Sequence, residues 1–340
     1  MSFLKAFIVV GLLPVLAMLA VGIYLQPLEG DLTRVGRVSE RSWGWTKPRT
    51  VIDQLANVPT PETKIIVIGD SFSMGSLWQS VMQRASGLSF ATYHWDSIGP
   101  PDCLKAALVT LLQKHPQARF VIVESVERHF VNRFSDWRGS GRNCPSAIYP
   151  SIRNVEKLGA WRKSAIDLSG GLPDAQYAFQ ALAAEGRSYE HAETTGQAVV
   201  APLVRSDLFS NLRSDHLLYF AEDARRRHWT QEQVATAVGN MKTFAGAAAG
   251  LGVRPLFVII PNKLTVYAPF LKEPAGSPPA NIWSVMAAND VPTLPLASLF
   301  EREVVRHVDF YLPDDTHAGQ DAFTIIGNEV ANALAAAERR

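Results

Sequence analysis

Two short segments, far apart in a chain of 340 residues, carry side chains that could act together as nucleophile and base. The first is Gly69-Asp70-Ser71-Phe72, which follows the β-branched run Ile65-Ile66-Val67-Ile68. The second is Tyr311-Leu312-Pro313-Asp314-Asp315-Thr316-His317-Ala318-Gly319. A serine hydroxyl attacks a carbonyl when a base removes its proton, and an imidazole serves as that base when a carboxylate holds its ring. Ser71 and His317 fit these roles by type. Asp315 and Asp314 both fit the orienting role, and spacing alone leaves the choice open. An isolated histidine is more often packing or surface than catalytic, so the pairing has to come from the fold.

The elements that would bring the two segments together can be read from periodicity. Residues 64–68 form a buried parallel strand, and Gly69 permits a tight turn that leaves Ser71 at the strand's carboxyl end, where open α/β sheets bind ligands. A helix is expected over 74–85, a strand over 88–93, a helix over 104–114 and a strand over 119–124. Thr230 and Gln233 form a capping box that opens another helix, which ends at Gly250 to Gly252. A strand follows over 255–261. Thr293-Leu294-Pro295-Leu296 reads as a fifth strand confined to an edge by its proline. An amphipathic helix over 320–337 closes the chain. This alternation predicts a parallel sheet with helical crossovers. Residues 132–227 read as a mostly helical insertion beside the site, and residues 28–63, rich in turn formers and arginine, read as a linker.

Composition narrows the function classes. The formal net charge of +1, with no basic stripe interleaved with aromatics, gives no sign of nucleic-acid binding. Residues 6–25 form an uncharged apolar stretch long enough to cross a bilayer, with Lys5 before it. Its length, and the lack of a small-x-small cleavage site, predict an uncleaved anchor over residues 1–27 with the rest of the chain on the far side. The two cysteines, Cys103 and Cys144, have no partners at metal-ligand spacing. In an exported chain they are expected to form one disulfide. No metal and no cofactor is called for.

The Gly69-Asp70-Ser71-Phe72 segment, with an acid–histidine pair before the last helix, resembles the GDSL/SGNH hydrolase superfamily. Asp315-Thr316-His317 behind Tyr-Leu-Pro, and Pro261-Asn262-Lys263 with Tyr267 after it, look like the periplasmic alginate O-acetylation branch of that superfamily. The resemblance covers about residues 40–335. It implies a three-layer α/β/α (flavodoxin-like) catalytic domain over 64–340, preceded by a transmembrane helix. Ser71 would then be the nucleophile, His317 the base and Asp315 its orienter, with Asp314 the rival at the spacing of ordinary superfamily hydrolases. Gly99 stands where an oxyanion glycine is expected, although a turn before Pro100 explains it equally. The usual asparagine after the third strand is absent. Arg128 stands there instead, either as a substitute donor or in an ion pair with Glu127 or Glu124. Lys263 and Tyr267 are candidate substrate contacts. His94 and Trp95 would line a sugar cleft or simply pack, and Ser214-Asp215-His216 reads as a cap or loop.

The resemblance further implies a bacterial inner-membrane protein with a periplasmic catalytic domain. Its acetyl donor would be a polytopic membrane O-acyltransferase, and its acceptor an exopolysaccharide. The alternatives are a carbohydrate acetylesterase and a non-catalytic glycan-binding or scaffold subunit.

Overall fold

A strand with consecutive β-branched residues must bury both faces, and β1 (Ile65–Gly69) does so completely. Its side chains alternate between two cores. Ile65 and Val67 pack with Phe120, Ile122, Trp78, Met82 and Ile326 on one face. Ile66 and Ile68 pack with Val121, Val123, Leu108, Met241 and Phe244 on the other. In the computed structural model, which describes residues 3–25, 29–135, 137, 144–145, 147–151, 175–274 and 281–339, β1 lies in a four-stranded parallel sheet. The order is β2 (Phe90–His94), β1, β3 (Phe120–Val126), β7 (Arg254–Ile260). Helices Leu77–Ser86 and Gln320–Glu338 cover the first face, and helices Leu104–Lys114 and Gln231–Gly250 the second. Gly327 lets the first pair approach closely, since a Cβ there would lie 2.5 Å from the Trp78 carbonyl oxygen. The capping box of Thr230 and Gln233 is formed.

Four expectations change. The helix expected over 74–85 is broken: a first turn, Ser71–Met74, is separated from Leu77–Ser86 by Ser76 in the left-handed region (φ 51°). The fifth strand reduces to one bridge between Thr293 and Phe257, because Pro295 lacks the N–H a ladder needs and instead precedes helix Leu296–Glu303.

Among its described residues, the stretch expected as a mostly helical insertion is mixed. Its described part holds helix Ala175–Glu185 and an antiparallel sheet of β4 (Glu193–Thr195), β5 (Ala198–Pro202) and β6 (His216–Phe220). These strands are too short for their alternation to stand out among the charges, glycines and prolines. Residues 152–174 of that stretch lie outside the described residues.

The linker is a packed part of the domain. Helices Asp31–Gly36 and Glu40–Trp43, with Val38 between them, bury Leu32, Val38 and Trp43 against Ala198, Val200 and Leu218 of the second sheet. At the amino end, the helix spanning Phe3–Gly22 is long and apolar enough to cross a membrane, a property shared by anchors and signal sequences. Cys103 and Cys144 are bonded as a disulfide, with Cα atoms 5.4 Å apart.

Candidate active site

Ser71 is the first residue of the short helix that leaves β1, and its side chain is exposed. Asp70 caps that helix, one carboxylate oxygen accepting from the Phe72 amide at 3.1 Å. The other oxygen accepts from the Val126 amide (2.9 Å) and from Arg133 (2.6 Å). Glu124 on β3 accepts from the Asp70 amide (2.9 Å) and the Ser73 hydroxyl (2.8 Å). A side chain at position 69 would run into Ser73 and into the Glu124 carboxylate at 2.6 Å, so glycine is required by this contact.

The two buried acids titrate apart. Burial disfavours both anions, but Arg133 and two amides outweigh it at Asp70 and hold its pKa at about 2. Burial and the neighbouring Asp70 charge push Glu124 well above the usual carboxylate range. Ser71 thus follows a buried aspartate that is paired with a guanidinium and flanked by a carboxyl whose ionisation burial opposes.

His317 comes from an irregular loop pinched between Tyr311 and Ala318, which form a single antiparallel bridge. His317 Nε2 lies 2.8 Å from Ser71 Oγ. Its Nδ1 lies 2.6 Å from Asp315, whose same oxygen also accepts from the His317 amide at 2.8 Å. With the ring proton on Nδ1, Nε2 is free to accept the Ser71 proton. Burial works against the imidazolium, yet Asp315 and then Asp31 outweigh it, so the His317 pKa is raised above its ordinary value. The Asp315 carboxyl is lowered: burial opposes ionisation, and the adjacent His317 overcomes it. Asp315 therefore takes the orienting position. Asp314 is buried, and its backbone carbonyl accepts the Leu32 amide at 3.0 Å.

Sequence reasoning missed Asp31. Its carboxylate accepts from the Thr316 amide (2.8 Å) and hydroxyl (2.6 Å), and lies 3.9 Å from His317 Nδ1. Burial and the Asp315 charge raise its pKa. Nothing local marks an aspartate in a turn-rich stretch as a neighbour of residue 317; only the packing of the Asp31–Gly36 helix on the loop does so. Asp31, Asp315 and His317 place ligand atoms within 4.8 Å of one another, close enough to share a cation. Asp315 already accepts from His317, and Asp31 from Thr316.

Four candidate residues take other positions. Lys263 is buried, and its Nζ donates to the carbonyls of Leu312 (2.6 Å), Pro313 (3.0 Å) and Asp315 (3.3 Å). Burial lowers its pKa to about 8. Tyr267 is buried too, stacks on Phe209 and accepts from the Tyr311 amide. Both hold the His317 loop from beneath, and neither offers a surface to substrate. Arg128 pairs with Asp223 at 3.2 Å, not with Glu127 or Glu124. Gly99, at φ +84°, has Pro145 where a Cβ would lie (2.7 Å), which accounts for the glycine as a turn.

Trp95 is packing: it is buried and its indole donates to the Glu124 carbonyl. His94 caps the turn at Asp96. His216 bonds Asp215 and the Tyr189 carbonyl, away from Ser71.

The Ser71–His317 pair opens into a cavity of about 350 Å³. Its lining includes apolar Met74, Leu77 and Phe323 and polar Glu29, Arg49 and Asn57. Arg49 stacks on Trp45, 3.9 Å from the ring centre, and burial lowers its pKa. No protein-family model matches this chain, and no curated protein matches it. Its chemistry has to be argued from this geometry: a serine, a histidine and an aspartate in series, open to a cavity lined by both polar and apolar residues.

Proposed function

We propose that this protein is a membrane-anchored serine acyltransferase, an SGNH-like O-acetyltransferase of the bacterial periplasm that acts on an exopolysaccharide. The observation that carries this reading is the unbroken series Ser71–His317–Asp315, at 2.8 and 2.6 Å. In the first half-reaction, Ser71 Oγ attacks the acetyl carbonyl carbon while His317 Nε2 takes its proton. His317 then protonates the departing oxygen, leaving an ester on Ser71. In the second, a sugar hydroxyl gives its proton to His317 and attacks that ester. The proton returns to Ser71 Oγ as the new acetyl ester departs. Asp315 stabilises the imidazolium in both. No bound metal or cofactor enters these steps.

Charged Glu29 and Arg49 among the lining of the cavity that holds Ser71 support a hydroxyl-rich acceptor. The apolar amino-terminal helix and the disulfide support an anchored protein in an oxidising compartment. An acetyl donor delivered by a polytopic membrane O-acyltransferase suits that placement.

Covalent labelling with a fluorophosphonate tests the nucleophile, with labelling of Ser71 expected and its absence supporting a non-catalytic subunit. Incubating the full chain with bare and with acetylated polysaccharide tests the reaction. Gain of acetyl on the bare polymer from a small acetyl ester is expected. Loss of acetyl from the decorated polymer without such gain identifies an esterase.

A further inference from the structure

Helix Ala175–Glu185 has two unlike stripes. Tyr177, Ala178 and Ala181 are buried, and they cluster with Leu25 and partly buried Val21 at the end of the amino-terminal helix. On the other side, Phe179 (75% exposed), Leu182 and Ala183 recur at helical spacing and face solvent. An exposed phenylalanine and leucine on one stripe lose free energy in water, and an amphipathic helix resolves this at an interface.

The place of this helix identifies the interface. The apolar span ends at Gly22. From there to Leu25 the chain climbs only about 5 Å at 1.5 Å per residue, within the headgroup layer that adds roughly 5–7 Å to each side of the hydrocarbon core. Helix Ala175–Glu185 packs on that stretch and therefore sits at headgroup depth. The charges agree. Arg37 and Arg187 line a pocket of about 320 Å³ together with Phe179 and Ala183. Arg41 lies over the Tyr24 ring, 4.7 Å from its centre, and Tyr24 is an aromatic residue at the end of the span, where membrane interfaces favour one.

We infer that helix Ala175–Glu185 is an interfacial helix that lies on the bilayer, with Phe179 and Leu182 in the headgroup–acyl boundary and Arg37 and Arg187 on lipid phosphates. The inference rests on the anchored reading of the amino-terminal helix. It fixes which face of the domain meets the membrane. Since Glu29, four residues beyond Leu25, lines the Ser71 cavity, it also sets that cavity close above the lipid surface.

The test uses the full chain in nanodiscs of phosphatidylcholine and phosphatidylglycerol. The native cysteines are bonded to each other, so Phe179→Cys supplies a single thiol for an environment-sensitive dye. Val109→Cys, on helix Leu104–Lys114 in the second face's layer, supplies the control. Lipids carrying a shallow nitroxide should quench the dye at position 179 several-fold more than at 109. Removing phosphatidylglycerol, or making the pair Arg37→Gln and Arg187→Gln, should reduce that difference. Equal quenching at both positions, with the intact mass showing the amino-terminal helix present, overturns the interfacial helix alone. An intact mass lacking that helix overturns the anchored reading and this inference with it.

Discussion

The two halves of the site are held in opposite ways. Ser71 is fixed by a sheet: β1 delivers it, and Asp70 and Glu124 tie its turn to β3 through backbone amides. His317 is fixed by side chains from distant parts of the chain. Lys263 binds the loop's carbonyls from below, and Asp31 binds Thr316 from the side. A sheet ladder repeats the same bond over many residues, whereas the loop relies on individual contacts, chiefly those of Lys263, Tyr267 and Asp31. The Ser71 half should therefore tolerate substitutions around it better than the His317 half does.

Substitutions can break this contrast, beginning with the largest expected effect. Ser71→Ala should lower turnover of a small acetyl ester by about 10³-fold or more with the fold retained, by analogy with removal of a triad member. Unchanged turnover with an unaltered circular dichroism spectrum would remove the mechanism. Asp315→Asn should cost roughly 10³–10⁴-fold through the wrong imidazole tautomer, whereas Asp314→Asn should leave the pH profile in place. A larger loss from Asp314→Asn would reverse their assignment.

Lys263→Met probes the loop itself. It leaves three carbonyls without their donor in a buried site, so a stability loss of about 2–4 kcal/mol is expected in urea titration. A drop in kcat larger than the rise in KM should accompany it, because the loop carries the base rather than a binding surface. A variant with normal kcat would show that the loop holds its shape without Lys263.

Asp31→Asn has a smaller and more specific effect. His317 must be neutral to accept a proton, so activity rises with pH through its raised pKa. Removing the Asp31 charge lowers that pKa, and the acid limb of kcat/KM should move to lower pH, with a several-fold change in the plateau. An unmoved acid limb would reduce Asp31 to a loop tether.

On the nucleophile side, Asp70 contributes stability that is full above its ordinary pKa of 3.8 and is lost as pH falls toward about 2. Arg133→Gln should raise the Asp70 pKa and shift the acid-unfolding midpoint upward by a fraction of a pH unit. No shift would mean that the two amides suffice to hold the anion.

The sequence by itself determined the four parallel strands, the amino-terminal apolar helix and the candidate serine and histidine, with two aspartates beside the histidine. Runs of β-branched residues and uninterrupted apolar length are local signals, and the order of the two motifs restricts which loops can meet at the sheet's carboxyl rim. Only the tertiary structure decided between Asp315 and Asp314, because neighbours in an irregular loop point in directions that no periodicity encodes. It also moved Lys263 and Tyr267 from the cavity to the support beneath it, and brought Asp31 to His317 across 286 positions of chain. Side-chain bridges between remote segments leave no pattern in either segment, since what selects them is the shape of the space where the segments meet.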